Sequence, residues 1–384
     1  MSSRSDTWVK ETAGDVEVGQ DAPLPSLRRY HYNPFTAMKK TLLLFLILIL
    51  PSLFSGCYLL KQGTYLLSHN ARSRSIERVL AADSISPDAK EMLRSVQEIR
   101  RYAVEEIGLE RNRNYTRYTE LDRDYVLDVV TACNADSFTP HEWRFPIFGA
   151  FPYKGFYERK DAEEEAARLE SKGLDVWIRE VDGFSTLGFF SDPIYSFMTE
   201  YAPFALADLI IHEQTHATVF FKDEIQFNEE LATFVGREGA LAFLRDRYGE
   251  KSEAYRQAIA SLNDWNIYRD RVIELYCRLN RIYKLETDRD TILGEKLRAV
   301  GEFNRRLQAE AMGLFQTERF RSFEDIPANN AYIMSFVRYS RDLDLFYRLY
   351  EDNGGDLRAT VEVLTRLKKS KNSPKKTLAR LLAD

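Results

Sequence analysis

The chain has 384 residues and a formal net charge of −5, with 44% hydrophobic and 29% charged residues, a composition that supports a buried core and excludes a disordered chain. Fifty-four Lys and Arg against 59 Asp and Glu leave no general case for nucleic-acid binding. Three cysteines, Cys57, Cys133 and Cys277, are too few for a disulfide scaffold and wrongly spaced for a thiolate zinc site, so any metal must use histidine and carboxylate.

Residues 1–37 are polar, carry Pro23, Pro25 and Pro34, and show no apolar periodicity; they read as a non-native extension ahead of a true start at Met38. Met38, Lys39 and Lys40 then precede an apolar run to Leu50, a turn at Pro51, and Phe54-Ser55-Gly56-Cys57, the layout of a secretory signal. Residues 38–56 resemble a bacterial lipoprotein signal, which implies that Cys57 is lipidated and becomes the new N-terminus. The competing reading is a single membrane anchor, because Thr41 to Leu60 is just long enough to span a bilayer. Both readings hold the lysines in the cytoplasm and export the rest of the chain, so the expected location is the cell envelope, with the membrane as a partner.

Apolar residues at helical spacing run from Ser75 to about Leu109, with a helix start at Ser86-Pro87. From Tyr125 to Gly188 short aromatic or β-branched runs (YVLDVV, RFPIFGAFPYKGFY, DVWIREV) predict strands, with a helix over 160–171 ended by Gly173. Beyond Pro193 the pattern is helical near 200–222, 227–248, 253–285, 290–321, 328–350 and 355–370, and 371–384 reads as a polar tail. The fold class expected is α+β, predominantly α: a helical catalytic part over 195–370 with a small α/β layer near 125–190 on its N-terminal side, together one domain over 57–370.

Only five histidines occur, and two stand in His212-Glu213-Gln214-Thr215-His216, the H-E-x-x-H motif. Four residues along a helix turn through about 400°, so both imidazoles reach one zinc ion while Glu213 is displaced toward the water beside it. A catalytic zinc needs a third ligand and an open position. Glu224, Glu229 and Glu230 are the candidates, and Glu229 is preferred because Asn228 to Phe234 starts a second helix after a short connection. Glu230 then points about 100° away, toward the cleft rim or solvent. Asp208 and Thr233, each one turn from a ligand, are placed to support it from behind.

The stretches RFPIFGAFPYKGFY, FSTLGFFSDP, LIIHEQTHATVF, FNEELATFVGREG, PANNAYIMSFVRY and GGDL carry a wider likeness. On them the chain resembles the bacterial family of predicted zinc aminopeptidases, exported lipoproteins with a gluzincin-like metal site, nearly collinearly from Cys57 to about residue 365. The resemblance implies a zincin-like core, His212, His216 and Glu229 as zinc ligands, Glu213 as general base, and a peptide substrate. Where members often carry two cysteines this chain has Arg144 and Ala150, so a disulfide possible there is absent. Tyr339 matches a family tyrosine and is the candidate oxyanion donor. Asp192, ending the run from Ser185, and Glu230 are the acids available to pair a substrate's free α-ammonium. The expected function is an envelope-anchored zinc metallopeptidase; the alternative is a non-hydrolytic lipoprotein whose zinc stabilises a binding or assembly module.

Overall fold

A computed structural model describes residues 58, 61–65, 67–68, 71–145, 149–182, 192–322, 325–338, 341–370 and 372–383. The expected signal, Cys57, Tyr339 and the run Ser185–Ser191 lie outside the described residues. Cys57–Asp384 forms one compact unit. Among the described residues no helix is long and apolar enough to cross a membrane.

The elements run in the order β1 (Arg74–Ser75), α1 (Ile76–Leu80), α2 (Pro87–Glu105), β2 (Arg117–Thr119), β3 (Leu127–Asn134), β4 (Trp143–Phe145), β5 (Gly149–Phe151), β6 (Lys154–Phe156), α3 (Arg159–Glu170), β7 (Leu174–Val181) and β8 (Ile194–Tyr195). A 3₁₀ turn (Ser196–Glu200) then leads into α4 (Pro203–Thr218), α5 (Ile225–Tyr248), α6 (Glu253–Ile282), α7 (Arg289–Leu314), α8 (Glu318–Arg321), α9 (Asn330–Val337), α10 (Asp344–Asp352), α11 (Leu357–Arg366) and α12 (Pro374–Leu381). The fold is α+β and predominantly α, as the periodicities predicted.

Local chemistry explains the element starts. Ser75, Ser86, Ser252 and Asp288 each accept a backbone N–H of the first turn of their helix, and Pro87 and Pro203 stand at helix starts where no N–H is needed. Gly173, at φ 77°, makes the left-handed turn that follows α3.

The α/β layer is an antiparallel sheet of order β6-β3-β7, with Val129 opposite Gly155 on one side and Arg179 on the other. Helix α3 covers it with Ala162, Ala166 and Leu169, closing a small core with Val130, Ala132 and Trp143. In the β4–β5 hairpin Arg144 is directly opposite Ala150, the two positions where the family resemblance placed cysteines. A second sheet, β1-β2-β8, pairs β2 with β8 in parallel and so joins residues near 115 to residues near 192.

The helical part is tied to the layer by Asn329 and Asn330, whose amides donate to the carbonyls of Val176 (2.7 Å) and Asn134 (2.8 Å). Its largest core gathers α2, α4, α5, α10 and α11 around Ile99, Ile210, Ile211, Phe234 and Phe346. A second core lies between α6 and α7 around Val272, Leu279, Val300 and Leu307.

Two expectations are corrected. The segment 328–350 is two helices, and at the turn between them the Asp342 N–H donates to Glu230 Oε1 (2.9 Å), a carboxylate from α5. The stretch 371–384 is not a polar tail: α12 buries Pro374 and Leu378, one turn apart, while Lys375 pairs with Asp342. Lys376 is exposed on the opposite side of this amphipathic helix, and composition alone hid the buried stripe.

Candidate metal centre

Helix α4 exists because Leu206, Ala207, Ile210 and Ile211 supply a buried stripe, and that burial fixes the direction in which His212 and His216 project. Asn228 sets the connection to α5. Its side chain brackets Phe221, accepting the Phe221 N–H (2.9 Å) and donating to the Phe221 carbonyl (2.7 Å), and it immediately precedes Glu229. Gly236, two turns further along α5, faces α4 so closely that a Cβ there would meet Asp208 Oδ1 at 2.5 Å and His212 Cβ at 3.1 Å. Glycine is what allows the two helices this approach.

The result is a convergence of three groups. His212 Nε2 and His216 Nε2 stand 3.2 Å apart, and Glu229 Oε2 lies 3.6 Å from the first and 3.7 Å from the second. Among the described residues this is the one cluster of three His, Cys, Asp or Glu groups able to hold a metal ion. Ligand atoms at about 2.1 Å from a tetrahedral zinc are roughly 3.4 Å apart, so the observed spacing fits that ion. Burial would push the Glu229 carboxyl up, but hydrogen bonding and charge from both histidines hold it well below the usual carboxylate range. Burial opposes a proton on His212, yet Glu229, Glu213 and Asp208 raise its affinity for one. The two imidazoles and the carboxylate together favour a cation.

Behind the histidines, buried Asp208 is held up by desolvation and drawn down by the charges of Arg237 and His212. Arg237 lies with its guanidinium 3.4 Å from the centroid of the Trp265 ring. Asp208 Oδ1, Arg237 Nη1 and His216 Nδ1 are buried without a hydrogen-bond partner among the described residues. Thr233, one turn beyond Glu229, is buried.

On the other side of the centre, parallel pairing of β2 with β8 delivers Asp192. Its N–H donates to Asn114 Oδ1 (3.3 Å) and its carbonyl accepts the Tyr115 N–H (2.6 Å). The Asp192 carboxyl is pushed up to about 8 by burial and then by the Glu213 charge, which brings these two acids into one environment. Tyr115 also feels Glu213 and Asp192, and among the described residues it is one of two non-glycine residues with positive φ, at 56°. Sequence reasoning missed Tyr115 and Asn114 because a single tyrosine among 21 carries no local signal.

Glu230 departs from expectation. It is 1% exposed, not at the cleft rim or in solvent, and it accepts Gln226 Nε2 (2.9 Å) as well as the Asp342 N–H. A carboxylate turned 100° from Glu229 meets the helices packed behind α5, which a helical wheel of that segment alone does not contain. Glu224 precedes α5 and is not part of the metal cluster. Cys133 is buried and Cys277 exposed, both as free thiols.

The family described as "Putative aminopeptidase" matches residues 57–379, and the chain belongs to that family. Membership supports a peptidase-like activity. No curated protein and no solved structure matches the chain.

Proposed function

We propose that the protein is a zinc-dependent peptidase of the bacterial cell envelope, anchored through Cys57 and acting as an aminopeptidase. The observation that carries the metal assignment is the meeting of His212 Nε2, His216 Nε2 and Glu229 Oε2 within 3.7 Å on two helices locked together by Asn228 and Gly236. In this reading those three residues hold zinc in a zincin-like core. When bound, zinc supplies Lewis acidity for water activation and carbonyl polarisation near neutral pH.

The chain's own residues do the rest. Glu213, next to a ligand but outside the ligand cluster, takes a proton from the attacking water and returns it to the leaving amine. Asp192, buried in the same environment, receives the substrate's α-ammonium; a cation entering this pocket without such a partner would be costly to desolvate. Tyr339 is kept as the oxyanion donor on the strength of the family resemblance. Glu230 braces the ligand helix through Asp342 and does not meet substrate.

Metal analysis tests the assignment. Wild type should retain about one zinc per chain, and His212→Ala and Glu229→Ala should each lose it. Equal zinc in all three proteins would remove the site. Zinc retained without hydrolysis of any peptide would favour the alternative of a zinc-stabilised binding lipoprotein.

A further inference from the structure

The chain beyond Cys57 is tied to the fold from its first residue. Tyr58 donates its hydroxyl to the Gly155 carbonyl at 2.5 Å, and its ring packs against Phe156 (centroids 5.5 Å) and Phe145 (5.9 Å). Lys154 Nζ stands 4.4 Å from the Tyr58 ring centroid. Lys61 pairs with Asp161 of α3 at 2.6 Å, and Gln62 Oε1 accepts the Tyr157 N–H at 3.0 Å. Tyr65 donates to Glu158 at 2.5 Å and stacks on Tyr157 with centroids 5.6 Å apart. Between Tyr58 and Tyr65 four side chains are each fastened to β6, to the turn after it, or to α3. One Cα step of about 3.8 Å separates Tyr58 from Cys57.

A lipid on Cys57 would therefore have no linker. We propose that the face formed by β6 and α3 is held against phospholipid headgroups, so that the enzyme has one fixed orientation on the membrane instead of tumbling on a tether. This rests on the reading of Cys57 as the anchored residue. The chemistry of the face suits a headgroup layer better than an acyl layer, since the exposed positions on α3 are charged on both signs, including Lys160 and Glu164.

The test uses the full chain in phosphatidylethanolamine–phosphatidylglycerol vesicles containing a headgroup spin-labelled lipid. A fluorophore is placed at Lys160→Cys on α3 or at Met312→Cys near the far end of α7, each in a Cys277→Ser background with Cys133 left buried. Lys160 should be quenched several-fold more than Met312. A long Gly/Ser insertion between Cys57 and Tyr58 should erase the difference while leaving acylation and thermal unfolding unchanged. Equal quenching at the two sites, with acylated Cys57 seen by mass spectrometry, would overturn the orientation alone. An unacylated Cys57 in protein that washes off the vesicles would overturn the anchor on which it rests.

Discussion

Replacing Gly236 with alanine should damage the metal centre without touching a ligand. On an exposed helix the change would be favourable by about 1 kcal/mol, because alanine is the better helix former. Here the new Cβ would stand 2.5 Å from Asp208 Oδ1, 3.1 Å from the Asp208 carbonyl oxygen and 3.1 Å from His212 Cβ. The carboxylate can rotate away, but the carbonyl and the His212 Cβ belong to α4 and move only with it. The helices must part by a few tenths of an ångström, at an overpacking cost of about 1–3 kcal/mol, leaving a net destabilisation of roughly 0–2 kcal/mol. Since Gly236 lies two turns from Glu229, that separation draws the carboxylate away from the histidines, and zinc affinity should fall about 10–100-fold, the range for lost outer support. Gly239→Ala is the control: its Cβ would approach Ile107 Cδ1 at 2.7 Å and Ile211 Cγ2 at 3.1 Å, methyl groups of which the first can swing aside. Chelator competition measures the affinity, and thermal unfolding with chelator present isolates the packing cost. Gly236→Ala protein with wild-type zinc affinity would show that this close approach does not position the ligands.

Asn228→Ala should unfold more readily by about 1–3 kcal/mol, because it leaves the buried Phe221 N–H without its partner and takes from the Phe221 carbonyl the closer of two donors, and it should weaken zinc retention as well; denaturant titration and chelator competition read the two effects. Asp192 should shape the pH profile. Its folded pKa, about 8, lies above its unfolded value, so the carboxyl is neutral below that range and ionises only as pH rises through it. Hydrolysis of peptides with a free N-terminus should therefore show an acid limb in kcat/KM ending near pH 8, and Asp192→Asn should lose both the limb and the preference for free over N-acetylated peptides. By the same sign, ionising the buried acid costs stability as pH rises toward 8, so Asp192→Asn should gain thermal stability relative to wild type at pH 9 and not at pH 4. Efficient internal cleavage of N-blocked peptides by wild type would contradict the role given to Asp192.

What the sequence revealed about this molecule was mostly local. Two histidines four residues apart must share a helix face, and Glu229 comes after a connection too short to place its helix elsewhere, so the three converging groups could be read from one 18-residue window. The surroundings of the site needed contacts that no window contains. Asp192 comes into the field of Glu213 beside a parallel pairing of two short strands, with Tyr118 opposite Ile194. Glu230 looked free on a helical wheel, yet its partner Asp342 lies 112 residues further on, and that contact sits at the turn between α9 and α10. The lysine-rich end of the chain read as solvated because its buried stripe consists of little more than Pro374 and Leu378.

The catalytic role proposed for the His212–His216–Glu229 site is tested most sharply by the hydrolysis of a free-N-terminal peptide by Glu213→Gln protein whose zinc content has been measured in the same sample. The amide is nearly isosteric with the acid but cannot accept a proton from water, so a full complement of zinc is expected together with a loss of activity of at least about 100-fold. Glu213→Gln protein that keeps most of the wild-type rate with zinc bound would contradict the assignment of this site as the centre of catalysis.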